Sequence, residues 1–379
     1  MIELMDEWGP EKIVCVSDAR TGMRGVLVID NTARGVGKGG TRMQPDVTVD
    51  EIARLARVMT WKWAAVDLFF GGAKAGIRFD PHHPDKERAL RAFVRALANE
   101  VPSEYVFGLD MGLTEDDAAV IQDELGDRGA SVGTPRELGG VPYDQWGVTG
   151  YGVAEAADAA RGVIGGSVVI QGFGAVGAAA ARRLHELGAT VIAVSTSAGG
   201  LHNPDGLEID RLLAARAKHG DACVTAYDGA RTLRPGEELD LEADVLVPAA
   251  TQDVVDANRA RGLRCDLIVE GANLPIRPDA LELLAARGIT VVPDFIANAG
   301  GVIAAAYAME GRHSPFAIDP DAIFAAVSQK MRTNTATVLE AAAREGITSH
   351  DAARALAAER VRTAMRLKGR LPRRVEYAA

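Results

Sequence analysis

The stretch Ser167-Val168-Val169-Ile170-Gln171-Gly172-Phe173-Gly174-Ala175-Val176-Gly177 decides the fold. A run rich in β-branched residues leads into Gly-x-Gly-x-x-Gly. Helix-forming residues follow from Val176 to Leu187, closed by Gly188, and Thr190 to Val194 reads as a second strand. Strand, glycine turn, helix and strand in that order are the context that a dinucleotide-binding site demands. Gly172 permits the tight turn, Gly174 lets a pyrophosphate approach the backbone, and Gly177 lets helix and strand pack closely. Phe173, Ala175 and Val176 complete a loop whose helix N-terminus faces the phosphates. The fold class is therefore α/β, with a Rossmann-type doubly wound sheet.

Downstream the alternation continues. The second strand ends in Ser195-Thr196-Ser197-Ala198. No acid is present to hold ribose hydroxyls, and no arginine sits beside it to claim a 2′-phosphate. Thr196 occupies the deciding position, so NAD and NADP both remain open. Val245 to Pro248 reads as a strand ending at Ala249-Ala250-Thr251. Leu267 to Val269 ends at Glu270-Gly271-Ala272-Asn273, and Ile289 to Val292 leads to Asp294 and Asn298-Ala299-Gly300-Gly301. Ligands of open parallel sheets bind at the carboxyl edge. That places Ala249, Ala250, Asn273 and Asn298 at a site, although asparagines also serve as ordinary caps.

Upstream, Gly71-Gly72-Ala73-Lys74-Ala75-Gly76 reads as a glycine-rich turn between two apolar segments. Lys74 has little local polar company, and desolvation there would favour a neutral amine able to act as base or nucleophile. Arg34 to Arg42 reads as a second glycine-rich loop, in which Lys38, Gly39 and their neighbours suit a carboxylate or phosphate. Thr48-Val49-Asp50-Glu51 opens a helix with a capping-box pattern, and Lys62 lies near its C-terminal end, where the dipole favours a cation. Asp110 ends a short strand before a glycine, a place for a site residue or a turn. Thr114 opens the next helix.

With 379 residues, two domains are expected. A net charge of -10 without a long basic run argues against nucleic acid or an anionic membrane surface as partner. Cys15, Cys223 and Cys265 are scattered, with no metal-clip or redox spacing. The acidic N-terminus does not resemble a signal peptide, and no apolar run reaches membrane-spanning length. A cytoplasmic protein without a metal is expected.

Taken together, Lys38-Gly39-Gly40-Thr41-Arg42-Met43, Gly71 to Gly76, Gly108-Leu109-Asp110-Met111-Gly112, Thr149-Gly150, Gln171 to Gly174, Glu270 to Asn273 and Asn298 to Val302 resemble the glutamate/leucine/phenylalanine/valine dehydrogenase family. The likeness spans nearly the whole chain and is closest to glutamate-type members. It implies a substrate-binding and oligomerisation domain over 1–145, a dinucleotide domain over 146–318, and C-terminal helices over 319–379 that return to the first. It further implies a catalytic Lys74, proton transfer by Asp110, α-carboxylate binding by Lys62, and side-chain reading by Lys38 with Gly39. Thr149, Asn273 and Asn298 would surround nicotinamide and substrate. The implied partners are an L-amino acid, its 2-oxo acid and ammonia, in a homo-oligomer such as a hexamer or octamer. Three departures stand out: Ala75 in the lysine loop, Ala175 for a frequent asparagine, and Ala305 where glutamate enzymes carry a serine. Branched-chain or aromatic amino acids are the alternative substrates. A dinucleotide-binding regulatory protein without catalysis is the alternative of another class.

Overall fold

The computed structural model describes residues 2–143 and 145–371. The terminal stretch Leu371 to Ala379 reads from its sequence as basic and then apolar, and beyond Leu371 it lies outside the described residues. The chain forms two compact units: Met1–Pro142 with Ala305–Asp319 and Ala355–Ala379, and Tyr143–Ala304 with Pro320–Arg354.

In the first unit, strands β1 (Lys12–Asp18), β2 (Met23–Asn31), β3 (Gly37–Gln44), β4 (Gly71–Arg78) and β5 (Tyr105–Leu109) form one mixed sheet in the order β1-β2-β4-β3-β5. Helices α1 (Val49–Ala65), α2 (Lys86–Ala96) and α3 (Glu115–Leu125) complete it. Strand β2 shows why the sheet has two covered faces. Leu27 and Ile29 join the core with Leu90 and Phe93 of α2, while the alternate residues Val26 and Val28 pack with Ile52 and Ala56 of α1. Local signals set the helix starts: Thr48 accepts from the Glu51 N–H at 3.2 Å, and Thr114 forms a full capping box with Asp117.

Both glycine-rich stretches expected as loops are strands, β3 and β4. Tertiary packing overrides their turn-like composition. Every residue from Gly71 to Ile77 is buried, and the glycines are required by close approach. A Cβ at Gly72 would lie 2.0 Å from Thr60 Oγ1 and 2.6 Å from the Ala56 carbonyl on α1, and one at Gly39 would lie 1.7 Å from the Ala73 carbonyl. Gly72→Ala is therefore expected to lower stability by about 1–3 kcal/mol through overpacking. An unchanged thermal midpoint would show that α1 can slide on β4.

The second unit contains α4 (Val148–Arg161), β6 (Ser167–Gln171), α5 (Ala175–Glu186), β7 (Thr190–Thr196), β8 (Gly199–His202), α6 (Ile209–His219), β9 (Arg231–Leu233) and β10 (Val245–Pro248). It continues with α7 (Ala257–Gly262), β11 (Leu267–Val269), α8 (Pro278–Ala286), β12 (Thr290–Val292) and α9 (Asp294–Ala297). After it come α10 (Gly300–Gly311), α11 (Pro320–Glu345) and α12 (Ser349–Leu367). The sheet order is β12-β11-β10-β6-β7-β8-β9, with the first five strands parallel and β8 and β9 added antiparallel. This is the Rossmann-type sheet expected from the glycine motif, extended by two antiparallel strands that the sequence reading did not contain.

Residues 320–354 pack in this unit, whereas the sequence reading assigned 319–379 to the first domain. Glu155 of α4 supplies a reason. It is fully buried and accepts from Arg183 Nε at 2.8 Å, Ser328 Oγ at 2.7 Å and Arg332 Nε at 2.6 Å. Burial works against its ionisation, but Ser328, Arg183 and Arg332 together hold its pKa below the ordinary value. A charge buried in this way keeps its partners beside it, because losing one would leave it uncompensated. Among the described residues no helix is long and apolar enough to cross a membrane.

Candidate active site

In the first unit, the parallel neighbours β4, β3 and β5 bring three sequence candidates together. Lys74 lies on β4 and Asp110 follows β5. Their side chains form an ion pair, Nζ to Oδ2, at 2.5 Å, with 11% and 18% side-chain exposure. Lys74 has little polar company in the local sequence, and its partner comes from the end of another strand. Arg42 Nε lies 3.4 Å from the same Asp110 oxygen, and Arg42 Nη1 lies 2.6 Å from Glu51. The Met111 N–H donates to Asp110 Oδ1 at 2.8 Å. Burial opposes ionisation of Asp110, but the Lys74 ammonium, the Met111 N–H and Arg42 outweigh it and hold the carboxyl below its ordinary pKa. The pair is thus an anion–cation couple near the surface of a buried sheet, suited to exchanging a proton with a bound molecule.

Lys38 lies on β3 and is 3% exposed. Its Nζ donates to the Phe107 carbonyl at 2.9 Å and to that of Val106 at 3.3 Å. A Cβ at Gly108 would lie 2.5 Å from this nitrogen, so the glycine makes room for the ammonium. Burial first, then the charges of Arg312 and Lys74, push its pKa down to about 7. Trp63 of α1 donates to the Lys38 carbonyl at 3.0 Å and fixes the strand beneath. The lysine expected on a loop is therefore held rigidly on a strand. Gly39 adjoins it, Lys62 is half-buried in the last turn of α1, and Ala305 is half-buried on α10.

In the second unit, the dinucleotide loop has the expected geometry. Gly172 has φ of +95°, a conformation that other residues rarely adopt. A Cβ at Gly177 would lie 1.8 Å from the Gly172 carbonyl. Gly174 differs from both, because its φ of -76° needs no glycine and a Cβ would meet nothing within 4 Å. The bare backbone at the start of α5 thus presents an open cradle, which fits a pyrophosphate. Phe173 accepts from Arg216 Nε at 2.5 Å, and Ala175 and Val176 form the first turn of α5.

At the end of β7, Thr196 Oγ1 donates to the Asp221 carbonyl at 2.8 Å, and Ser197 Oγ lies 2.5 Å from Asp221 Oδ2. The fold therefore brings a carboxylate beside Thr196 and Ser197, where the local sequence has none. At the carboxyl ends of β10 and β11, Ala249 donates to the Gln171 carbonyl at 2.7 Å, and Ala250 packs over Gly172. Asn298 Nδ2 donates to Asn273 Oδ1 at 3.0 Å and to the Ala272 carbonyl at 3.3 Å. Asn298 Oδ1 and Gln171 Oε1 are buried without hydrogen-bond partners. Thr149, in the first turn of α4, lies where a Cβ at Gly301 would come within 2.8 Å of its hydroxyl. Thr149, Asn273 and Asn298 thus gather with Ala249 and Ala250 at one sheet edge. An open phosphate cradle and unfilled acceptors on that edge fit a nicotinamide dinucleotide.

A family model described as Glutamate/Leucine/Phenylalanine/Valine dehydrogenase matches residues 139–369, and one described as Glu/Leu/Phe/Val dehydrogenase, dimerisation domain, matches residues 10–127. The chain belongs to the glutamate/leucine/phenylalanine/valine dehydrogenase family. It is an NAD(P)-dependent amino acid dehydrogenase. The glutamate dehydrogenase of Thermotoga maritima is 36% identical over 369 residues, covering 92% of this chain and 87% of that relative. The NADP-specific glutamate dehydrogenase of Saccharolobus shibatae is 34% identical over 387 residues, covering 96% and 90%. The solved hetero-hexameric glutamate dehydrogenase from Thermus thermophilus, in a leucine-bound form, matches with a TM-score of 0.81 and 34% identity, over 98% of this chain and 93% of that one.

Within this dehydrogenase the sequence candidates fall into two groups. Lys38, Gly39, Lys62, Lys74, Asp110 and Ala305 belong to the first unit; Thr149, the 172–177 loop, Thr196, Ala249, Ala250, Asn273 and Asn298 belong to the second. Sequence reasoning quoted Arg42 but gave it no role, and it assigned nothing to Arg312, Asp221 or His350. Arg312, Asp221 and His350 carry no local motif, and only the folded chain brings all four residues to their partners.

Proposed function

We propose that this dehydrogenase catalyses the reversible oxidative deamination of L-glutamate to its 2-oxo acid and ammonia, with NAD+ or NADP+ as the acceptor. The observation that carries the mechanism is the Lys74–Asp110 couple at 2.5 Å. A dinucleotide held at the 172–177 loop would supply the acceptor for the hydride that leaves the substrate Cα. Lys62 holds the α-carboxylate. Lys74 steadies the oxygen that develops as water adds to the imino carbon, and Asp110 receives and returns the protons. Lys38 reads the side-chain carboxylate, and the relatives named for glutamate support that choice.

A second substrate reading rests on Ala305, which offers no hydroxyl, and on Lys38, whose depressed pKa lets it sit neutral beside an apolar side chain. Following NAD(P)H absorbance with ammonia and a panel of 2-oxo acids separates the two. Faster reduction of a branched-chain or aromatic oxo acid than of 2-oxoglutarate would overturn glutamate.

Cofactor choice turns on Asp221, anchored beside Thr196 and Ser197. A carboxylate there accepts from ribose hydroxyls and repels a 2′-phosphate. Asp221→Ala is expected to move the kcat/KM ratio about tenfold toward NADP+; an unmoved ratio would exclude Asp221 as the discriminating group. We also infer a cytoplasmic homo-oligomer, a hexamer or octamer. The match to a dimerisation domain and the hetero-hexameric relative support the assembly, and the odd count of three scattered cysteines supports the compartment.

A further inference from the structure

The loop after β11 is held in an unusual way. Glu270, 1% exposed, directs one oxygen, Oε2, at two donors: the Asp294 N–H at 2.7 Å and His350 Nε2 at 2.8 Å. Asp294 Oδ2 in turn accepts from the Leu274 N–H at 2.9 Å. The loop from 270 to 274 is thus gripped at one end by its own glutamate and at the other by Asp294. Asn298 grips its middle through Asn273 and Ala272. Leu274 sits at φ of +50°, a left-handed conformation that a branched residue keeps only when its surroundings impose it.

His350 lies in the first turn of α12 and is fastened there, because Ser349 Oγ donates to the Val291 carbonyl at 2.6 Å. His350 Nδ1 is buried and has no hydrogen-bond partner. A doubly protonated ring would bury an unmatched N–H at that atom, so the ring is assigned the neutral Nε2–H tautomer, donating to the Glu270 carboxylate. Glu270, Asp294 and His350 offer ligand atoms within 4.8 Å of one another. The 2.8 Å separation of His350 and Glu270 is that of a hydrogen bond; two ligands of one tetrahedral zinc with bonds of about 2.0–2.1 Å would stand farther apart.

We propose that His350 is a positioning residue: by donating to Glu270 it holds the 270–274 loop, and with it Asn273 and Asn298, in the arrangement that the nicotinamide end of the cofactor requires. This rests on the dehydrogenase reading above and extends it to a residue that touches neither substrate nor cofactor. Its effect travels through Glu270 to a strained loop, so cofactor affinity responds before the chemical step does.

The test measures binding of NADH and NADPH by fluorescence titration of the full chain, with kcat at saturating cofactor alongside. His350→Ala is expected to raise the cofactor Kd tenfold or more while kcat stays within threefold. His350→Gln, whose amide can reach the same carboxylate, is expected to stay within threefold of wild type in both. Glu270→Gln keeps the shape and removes the charge that His350 addresses. It is expected to weaken cofactor binding without lowering the thermal midpoint, since burial alone disfavours the ionised acid, and it carries the test if His350→Ala does not fold. Wild-type affinity in His350→Ala or Glu270→Gln, or a His350→Gln variant as weak as alanine, overturns the proposal. Failure of the wild type to bind either dinucleotide overturns the dehydrogenase reading and this inference with it.

Discussion

Lys74→Ala lowers kcat by about a thousandfold or more, while the dissociation constant for the reduced cofactor changes little. Positioned proton transfer contributes roughly 10²–10⁴ in rate, and stabilising a developing oxyanion about 10²–10³; the proposed roles of Lys74 draw on both. The group acts in the transition state, so its removal appears in kcat more than in binding. Asp110→Asn has a comparable effect for a different reason. The amide keeps the shape but cannot carry the proton, and it leaves the Lys74 ammonium and Arg42 without their shared anion. Because Asp110 is held below its ordinary pKa, it stays ionised across the neutral range. The stability its ion pairs supply is fully present above the ordinary carboxylate range and is lost only as pH falls through the lowered value. An acid limb near pH 6 or 7 in kcat/KM would therefore belong to another group. Near-normal turnover in either variant, with the fold verified by circular dichroism, would remove the pair from the mechanism.

The selectivity for glutamate over leucine falls as pH rises above about 7, by roughly tenfold per unit, and Lys38→Leu abolishes both the preference and its pH dependence. The sign follows from Lys38. In the free enzyme its pKa is pushed down to about 7 by burial and by the charges of Arg312 and Lys74. A side-chain carboxylate needs the protonated lysine. Above pH 7 that proton must be taken up on binding, at about 1.4 kcal/mol per pH unit. Leucine makes no such demand, and dividing the two kcat/KM values cancels every titration they share. At pH 7 and below, a hydrogen bond to a charged group, worth about 1.5–3 kcal/mol, sets a selectivity of roughly ten- to hundredfold. Lys38→Leu should therefore remove this advantage of glutamate. It should also lose stability, because the Val106 and Phe107 carbonyls would lose their donor. A selectivity ratio flat from pH 6 to 9 in the wild type would show that Lys38 does not meet the substrate side chain.

Where the physics is local, the sequence by itself determined the outcome. The strand–glycine–helix run from Ser167 to Gly177 forms its turn and its cradle from neighbouring residues. The Thr48 and Thr114 caps bond three residues away, and the long C-terminal helices follow from their composition. Lys38, Lys74 and Asp110, which lie on or just after neighbouring strands of one sheet, were also singled out once the motifs were taken together in order. The tertiary structure decided what those residues touch. Gly71 to Gly76 looks like a turn because glycine is flexible, yet it is a strand because α1 packs too closely for any side chain at Gly72. Lys74 looks isolated in the chain, but the parallel sheet brings Asp110 to it. Thr196 looks neutral until Asp221 arrives at the end of its strand, and Glu270 finds His350 across 80 residues. Local propensity acts over a few residues, and none of these pairings does. They depend on strand order, on which helix covers which face, and on buried charges that find partners only after the sheet has formed.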